Sequence, residues 1–293
     1  MAGDSFESFA TAYDAGRAQI VFRRVVADLE TPVGAYLKLS EGRQNTFLLE
    51  SVQDGATRGR YSMIGFDPDI ILKVEAGKAS INRNVARDAD AFKPVADAPL
   101  DVLRALVAES QADIPAGLPS TAAGIYGYLG YEMVRLMETL PDRHDRGLGT
   151  PDALLMRPTM LAVFDTVKDE LYLTAPVYVR AGVTARQAWE GAQGKIDDAV
   201  ARLGRTLPYV SVPPDMDKVA VTSHTPVREY DRMVDDAKEY IRAGDIFQVV
   251  LSQRFEADFT LPPTALYRAL RRTNPSPYMY LLDFGGFAVV GSS

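Results

Sequence analysis

The sequence predicts an α+β fold in which antiparallel β-strands, joined by short turns, pack against amphipathic helices. Two hairpin patterns carry this prediction. Residues 159–167 and 170–179 are apolar, strand-like runs only two residues apart, and residues 278–284 and 287–293 flank a Gly285-Gly286 turn. Helical patterns with recognisable caps lie between the strands, so the helices are expected to cover the sheet.

The first third of the chain is expected to open with a mobile lead-in, residues 1–16, followed by a short helix. Thr31 and Pro32 supply an N-cap and a proline at the first helical position, and the helix is expected to stop near Gly42. Strands are predicted over residues 45–52, 60–66 and 69–75. Asp67-Pro68 and Ala76-Gly77-Lys78 are predicted to be turns.

The middle third alternates between helix and strand. Residues 99–110 have helical periodicity, and residues 122–131 are strand-like with three glycines, which favours close approach by another backbone. Thr184 and Gln187 form a capping box for a helix that Gly204 ends, and Trp189 lies on its apolar stripe and is assigned to the core.

A proline-rich stretch separates the last third from the rest. We predict an N-terminal domain over 17–204, a linker over 205–222 and a second domain that begins at 223 and is truncated at 293. Within it, helices are predicted from Thr225-Pro226 to Gly244 and over 265–273. The chain stops at Ser293 with its last strand barely finished, so we expect the front portion of a longer protein.

Residues 246–255 are predicted to form a strand with one mostly polar face. Gln248, Ser252 and Arg254 lie on that face, together with Val250. A strand with a polar face inside a domain either meets water or lines a ligand site, and this one is therefore a candidate site element.

Composition excludes several classes of function. A net charge of −7 without a dense basic run disfavours nucleic acid as a partner. The absence of cysteine rules out disulfides and thiolate metal sites, and the two histidines, His144 and His224, are too far apart in sequence to predict a metal site. With no long apolar run, the sequence indicates a cytoplasmic protein that does not enter membranes.

Three ungapped stretches resemble anthranilate synthase component I, a chorismate-utilising enzyme of tryptophan biosynthesis. They are residues 48–68, 229–255 and 265–293, and the similarity runs from about residue 20 to the last residue. His224 departs from the amide that relatives more often carry. The resemblance implies the two-layer β-sandwich type of the chorismate-utilising enzymes, incomplete in this chain.

The resemblance also implies a reaction. Ammonia from a glutamine amidotransferase subunit adds to C2 of chorismate, the C4 hydroxyl is lost, and pyruvate is eliminated to leave anthranilate. The family uses Mg²⁺ held by glutamates, as hard cations prefer. Its metal ligands, catalytic histidine and chorismate-binding arginine are expected beyond residue 293, so we expect no metal ligand in this chain and no turnover by this chain alone. An oligomer is possible.

Gln248 is the candidate catalytic residue, because it matches a position where the water-using members of the family carry lysine. Water needs a base to remove its proton, which a lysine can provide and a glutamine cannot. Ammonia already has a nucleophilic lone pair, so an amide that orients it suffices. A purely structural hydrogen bond within the sheet is the alternative role for Gln248.

The resemblance assigns an L-tryptophan feedback site to two segments. They are Leu49, Glu50 and Ser51, and Pro277, Tyr278 and Met279. An indole needs flat apolar walls and an amino acid's charged ends need hydrogen-bond partners, which these residue types supply. Pro275 and Pro277 also stiffen the corner, although two prolines that merely end a helix and begin a strand are an alternative explanation.

Two other functions stay open from the sequence. Aminodeoxychorismate synthase component I of the folate pathway shares the fold and the glutamine-dependent partner, and its distinguishing lysine would lie downstream. A non-catalytic tryptophan-binding regulatory module is the other alternative, but an uncovered sheet edge after residue 293 argues against an independent module.

Overall fold

The computed structural model describes residues 5–52, 58–141, 148–209 and 219–293. Its contacts group the chain into two units, one made of residues 1–209 and 263–293 and the other of residues 210–262. The domain boundaries read from composition remain a prediction. The contacts divide the chain differently, because residues 263–293 fold with the first unit.

The described helices are α1 (Phe6–Asp14), α2 (Pro32–Ser40), α3 (Pro99–Glu109), α4 (Ala185–Leu203), α5 (Val227–Ala243) and α6 (Pro263–Thr273). The described strands are β1 (Gln19–Val26), β2 (Thr46–Val52), β3 (Arg58–Glu75), β4 (Lys78–Asn82), β5 (Lys93–Pro94), β6 (Tyr126–Leu129), β7 (Ala153–Asp165), β8 (Glu170–Val177), β9 (Val221–Ser223), β10 (Phe255–Ala257), β11 (Met279–Asp283) and β12 (Ala288–Ser292).

The described strands of the first unit form one ten-stranded sheet, in the order β1-β8-β7-β3-β2-β11-β12, with β4 paired to β3, β5 to β4 and β6 to β7. The pairs that build it are antiparallel, which confirms the α+β class. Both predicted hairpins form, since β7 pairs with β8 and β11 with β12. The last hairpin joins the sheet through β11, which lies beside β2 with Leu281 opposite Leu48.

The sheet has a core on each face. On one face α1, α2, α4 and α6 cover a core that includes Leu48, Ile64 and Leu281. On the other face β6 returns over β2, and Tyr126 stacks on Phe47 with ring centroids 4.5 Å apart. Strand β2 is therefore packed on both faces, with Leu48 in one core and Phe47 in the other.

Two predicted turns have different outcomes. Ala76 and Gly77 both have positive φ, 51° and 71°, and link β3 to β4 as predicted. The predicted Asp67-Pro68 turn is wrong, because β3 runs through it for 18 residues. The pairing of β3 with β7 shifts register between Pro68 and Ile70, so the chain makes a β-bulge there. Pro68 faces Pro158, and a bulge tolerates residues that cannot donate to the ladder.

The predicted mobile lead-in is wrong for residues 6–14, which form α1. Phe9 and Tyr13 are buried, and the Phe9 ring lies 5.0 Å from the Trp189 ring in an edge-on contact. Ser5 caps the helix by accepting a hydrogen bond from the Ser8 backbone. The spacing of the aromatic residues on α1 places them against α4, and Trp189 is partly buried and packs against the predicted core.

Other local predictions are confirmed. Thr31 caps α2 through the Gly34 amide, and Thr184 and Gln187 form the capping box of α4. Gly244 ends α5 with a left-handed φ of 83°. The close backbone approach predicted for the glycine-containing segment 122–131 is also confirmed, since a Cβ on Gly127 would lie 2.0 Å from the Leu154 carbonyl oxygen.

In the second unit, the strand predicted over residues 246–255 is wrong. Only Phe255 belongs to a strand, β10, which pairs with the three residues of β9. A strand persists only where a neighbour supplies ladder hydrogen bonds, and β9 is too short to supply them to residues 246–254. Phe247 is fully exposed as a result. None of the described helices is long and apolar enough to cross a membrane.

Truncation of Phe9 tests whether α1 belongs to the core. Because the ring is 2% exposed and packs on Trp189, Phe9→Ala should lower the free energy of unfolding by about 3 kcal/mol. Urea unfolding followed by tryptophan fluorescence measures this. Ser8→Ala, on the exposed side of the same helix, is the control. Equal stability of the two variants would mean that α1 is not part of the core.

Candidate functional site

The two segments assigned to an effector site lie side by side in the sheet. Strand β11 pairs with β2, and Met279 stands opposite Glu50 while Tyr280 stands opposite Leu49. Residues that are more than 220 positions apart in sequence are thus direct cross-strand neighbours. The segments come together, and their role as a ligand site remains a prediction.

The six assigned residues do not all face the same space. Glu50 and Met279 are buried, at 4% and 1% exposure, and Met279 packs in the core beneath the helices. Leu49 packs in the core on the opposite face. Ser51 is half-buried, whereas Pro277 and Tyr278 are exposed. A ligand can therefore reach Ser51, Pro277 and Tyr278, and Glu50 and Met279 lie behind them.

The carboxylate of Glu50 is held by two side chains of α6. The Tyr267 hydroxyl donates to Oε2 at 2.6 Å, and the Arg271 guanidinium donates from Nε to Oε2 at 2.8 Å and from a terminal nitrogen to Oε1 at 3.1 Å. The Glu50 side chain is 2% exposed and that of Arg271 is 37% exposed. We call these three residues the Glu50 clamp. A buried carboxylate is costly without partners, and here both oxygens have them.

The pKa shifts in the Glu50 clamp follow from its charges. Burial, together with the adjacent negative charge of Glu50, raises the pKa of Tyr267 well above its ordinary value, so the hydroxyl remains a donor. Burial opposes the charge on Arg271, but the hydrogen bonds and charge of Glu50 outweigh it and raise the pKa of Arg271. Near neutral pH, Arg271 is therefore charged and the Tyr267 hydroxyl keeps its proton.

Ser51 lies at an irregularity between β2 and β3. The register shifts between Glu50 and Val52, and the Ser51 side chain lies directly over Gly59 of β3. A Cβ built on Gly59 would lie 2.1 Å from both Cβ and Oγ of Ser51 and 2.5 Å from its carbonyl oxygen. Glycine is thus required at position 59 for Ser51 to hold its position.

The residues 274–279, which we call the diproline corner, are tied to β12. The Asn274 amide donates to the Leu270 carbonyl at the end of α6, and the Ser292 hydroxyl donates to the Asn274 carbonyl at 2.5 Å. The Ser293 amide donates to the Tyr278 carbonyl at 3.1 Å. The corner is therefore fixed at both ends by hydrogen bonds as well as by its prolines.

A second arginine near Ser51 is also paired. Arg60 donates to both carboxylate oxygens of Asp165, at 2.8 to 3.2 Å, and the Asp165 side chain is 2% exposed. Those hydrogen bonds lower the pKa of Asp165. Next to it, the Thr166 hydroxyl donates to the Gly59 carbonyl. These contacts fix the start of β3, where Gly59 contacts Ser51.

Gln248 lies in the second unit, where its side chain is exposed and its backbone is outside the described strands. The polar residues predicted to share its face are not aligned by a strand. Instead, Gln253 donates to the Ser223 hydroxyl, and Arg254 contacts His224, which pairs with Glu256 at 2.7 Å. The role of Gln248 stays a prediction. His144 lies outside the described residues.

No metal-binding cluster is found among the described residues, and one cleft of the first unit does not include the predicted site residues. Among the described residues no group of three or more acidic or histidine side chains is placed to hold a metal ion. An open cleft of about 730 Å³ lies between the start of β1 and the end of α3, and its lining includes Arg17, Ser110 and Asp113. None of the predicted site residues lines this cleft.

Sequence reasoning did not find Tyr267, Arg271 or Gly59. One signal was available: Glu50 directly follows the apolar residues 47–49 on β2, and a buried charge requires a partner. That rule predicts a cation or hydroxyl somewhere in the chain but not where it comes from. Gly59 carries no sequence signal, because its requirement arises from the packing of Ser51.

Comparison with known proteins places the chain in a family. A family profile described as chorismate binding enzyme matches residues 44–293. Anthranilate synthase component 1 of Cereibacter sphaeroides is 50% identical over 293 residues, which is 99% of this chain and 58% of that protein. The protein of the same name from Mycolicibacterium smegmatis is 38% identical over 303 residues, covering 99% of this chain and 56% of the relative.

A solved structure of a protein with the same name is also similar to this chain. The crystal structure of anthranilate synthase component I from Streptococcus pneumoniae TIGR4 superimposes with a TM-score of 0.64 at 27% identity, over 92% of this chain and 57% of that one. The chain belongs to the chorismate binding enzyme family, and it spans somewhat more than half the length of the relatives it matches.

Substitution of two glycines by alanine tests the packing of Ser51. Gly59→Ala should lower the free energy of unfolding by about 1–3 kcal/mol, because the new methyl group must displace Ser51 and its backbone. Gly194→Ala, in α4 with no atom within 4 Å of the new Cβ, should raise it by about 0.5–1 kcal/mol. Urea unfolding of both variants measures the difference, and stabilisation by Gly59→Ala would refute the described contact.

Proposed function

We propose that the chain is the N-terminal part of anthranilate synthase component I, which converts chorismate and ammonia to anthranilate and pyruvate. The observation that carries this proposal is the 50% identity over 99% of the chain to a relative of that name. The proposal takes ammonia from a glutamine amidotransferase subunit. The activity belongs to the whole protein, since the chain spans 58% of that relative.

Gln248 is proposed to orient ammonia. Its amide can donate and accept hydrogen bonds but cannot take a proton at neutral pH, so it suits a nucleophile that needs no deprotonation. Its exposed side chain in the second unit leaves it accessible to a ligand. We place no reaction step on Mg²⁺, because the described residues include no group of three or more acidic or histidine side chains placed to hold it.

L-Tryptophan is proposed as a feedback inhibitor that binds at Ser51 and the diproline corner. Support comes from the pairing of β2 with β11, which places Ser51 next to the corner, and from the exposure of Pro277 and Tyr278. Proline and tyrosine offer flat apolar surfaces to an indole, and a corner fixed by hydrogen bonds loses little entropy when a ligand binds.

The activity is tested on the protein expressed from its complete gene. The protein is incubated with chorismate, Mg²⁺ and ammonium, and the fluorescence of anthranilate is followed with and without tryptophan. Anthranilate that falls as tryptophan is added supports both parts of the proposal. Formation of 4-amino-4-deoxychorismate would instead indicate the folate-pathway enzyme, and tryptophan binding without any product would indicate a regulatory module.

Enlarging Ser51 tests the effector site. Ser51→Phe should raise the tryptophan concentration for half inhibition at least about tenfold, or about 1.4 kcal/mol, because the ring fills the space beside the corner. The measurement is the ratio of rates with and without tryptophan. Ser80→Phe, on β4 away from the corner, is the control. A wild-type response in Ser51→Phe would remove Ser51 from the site.

Exchanging Gln248 tests its role with the nucleophile. Gln248→Lys should lower ammonia-dependent anthranilate formation at least about tenfold, or about 1.4 kcal/mol in the activation free energy, because an ammonium group would replace the orienting amide. Product analysis by chromatography would detect isochorismate if the lysine activates water. Gln253→Lys is the control, because the native Gln253 donates a hydrogen bond to Ser223 in the same unit. Unchanged anthranilate formation in Gln248→Lys would exclude contact with the nucleophile.

A further inference from the structure

The Glu50 clamp joins two parts of the chain that the proposed effector site needs in fixed positions. Glu50 precedes Ser51 on β2, and Arg271 lies three residues before Asn274, where the diproline corner begins. The hydrogen bonds of the clamp cross a sequence separation of 217 to 221 residues. Strand β2 and helix α6 are thus connected by charge-assisted bonds next to the site.

The burial of the clamp makes its geometry specific. Tyr267 is 1% exposed and the Glu50 side chain 2% exposed, so water does not compete for the carboxylate. In such surroundings an unpaired carboxylate is strongly unfavourable, and α6 cannot shift relative to β2 without breaking bonds that nothing replaces.

The position of Glu50 also limits its direct contact with an effector. Its two carboxylate oxygens already accept three hydrogen bonds, and it lies on the helix-covered side with Met279, away from the exposed Pro277 and Tyr278. An effector's ammonium group that approached Glu50 would have to compete with Arg271. If Glu50 acts by holding α6, no effector group has to displace Arg271 from it.

We propose that Tyr267 and Arg271 are positioning residues for the tryptophan site, which they hold in its binding geometry through Glu50. This inference rests on the proposed function for its ligand. Breaking the clamp removes the polar connection between β2 and α6, so the start of the diproline corner loses one of the contacts that hold it beside Ser51. Glu50 then acts by holding α6 and not as a ligand of tryptophan.

The first measurement concerns the clamp itself and uses no tryptophan. Urea unfolding is compared for Glu50→Gln, Arg271→Gln and the double variant. Arg271→Gln leaves a buried charge without its cation, whereas the double variant places two neutral amides opposite each other. The double variant should be more stable than Arg271→Gln alone. Additive losses would show that the two side chains are not coupled, and would overturn the proposal.

The second measurement concerns the ligand. Tyr267→Phe removes one hydroxyl and keeps the ring in the core, so the variant should fold. In the protein from the complete gene, it should raise the tryptophan concentration for half inhibition at least fivefold, and calorimetry should show weaker tryptophan binding. Arg272→Gln, at the exposed neighbouring position of α6, should leave both values unchanged.

The outcomes separate this inference from the proposed function. Unchanged or tighter tryptophan binding in Tyr267→Phe and Arg271→Gln, beside a responsive wild type, would overturn the positioning role alone; tighter binding would indicate that Arg271 competes with the ligand. A wild type that neither binds tryptophan nor is inhibited by it would overturn the effector proposal and this inference together. That result is seen before any variant is made.

Discussion

The buried carboxylate of Glu50 is the constraint around which the candidate site is arranged. A buried charge is tolerable only if partners reach it, and Tyr267 and Arg271 do so from α6. The same strand pairs with β11, so a helix, a corner and a strand from the end of the sequence are all fixed against β2. The Glu50 clamp is thus one of the contacts that hold the diproline corner beside β2.

Stiffness in this region comes from several sources that reinforce one another. The prolines limit the backbone, hydrogen bonds from Ser292 and Ser293 tie the corner to β12, and Gly59 lets Ser51 approach β3 more closely than any other residue would allow. A site built in this way is largely formed before a ligand arrives.

The sequence predicted the parts that depend on local chemistry. Caps at Thr31 and Thr184, the Ala76-Gly77 turn and the hairpins follow from short-range rules, and they form as predicted. The failures depend on distant partners. Residues 246–254 have strand propensity but lack a long neighbour to pair with, and α1 is ordered by Trp189, which lies more than 170 residues away. The resemblance brought the two site segments together, but the faces on which their side chains lie required the structure.

Hydrogen exchange with and without L-tryptophan tests the central claim most directly, namely that Ser51 and the diproline corner form one ligand site held by α6. Measured by mass spectrometry, added protection is expected in peptides that cover residues 46–52 and 274–283 and in α6, with the second unit and the cleft at Arg17 unaffected. Protection confined to other peptides, or no protection at saturating tryptophan, would contradict the account.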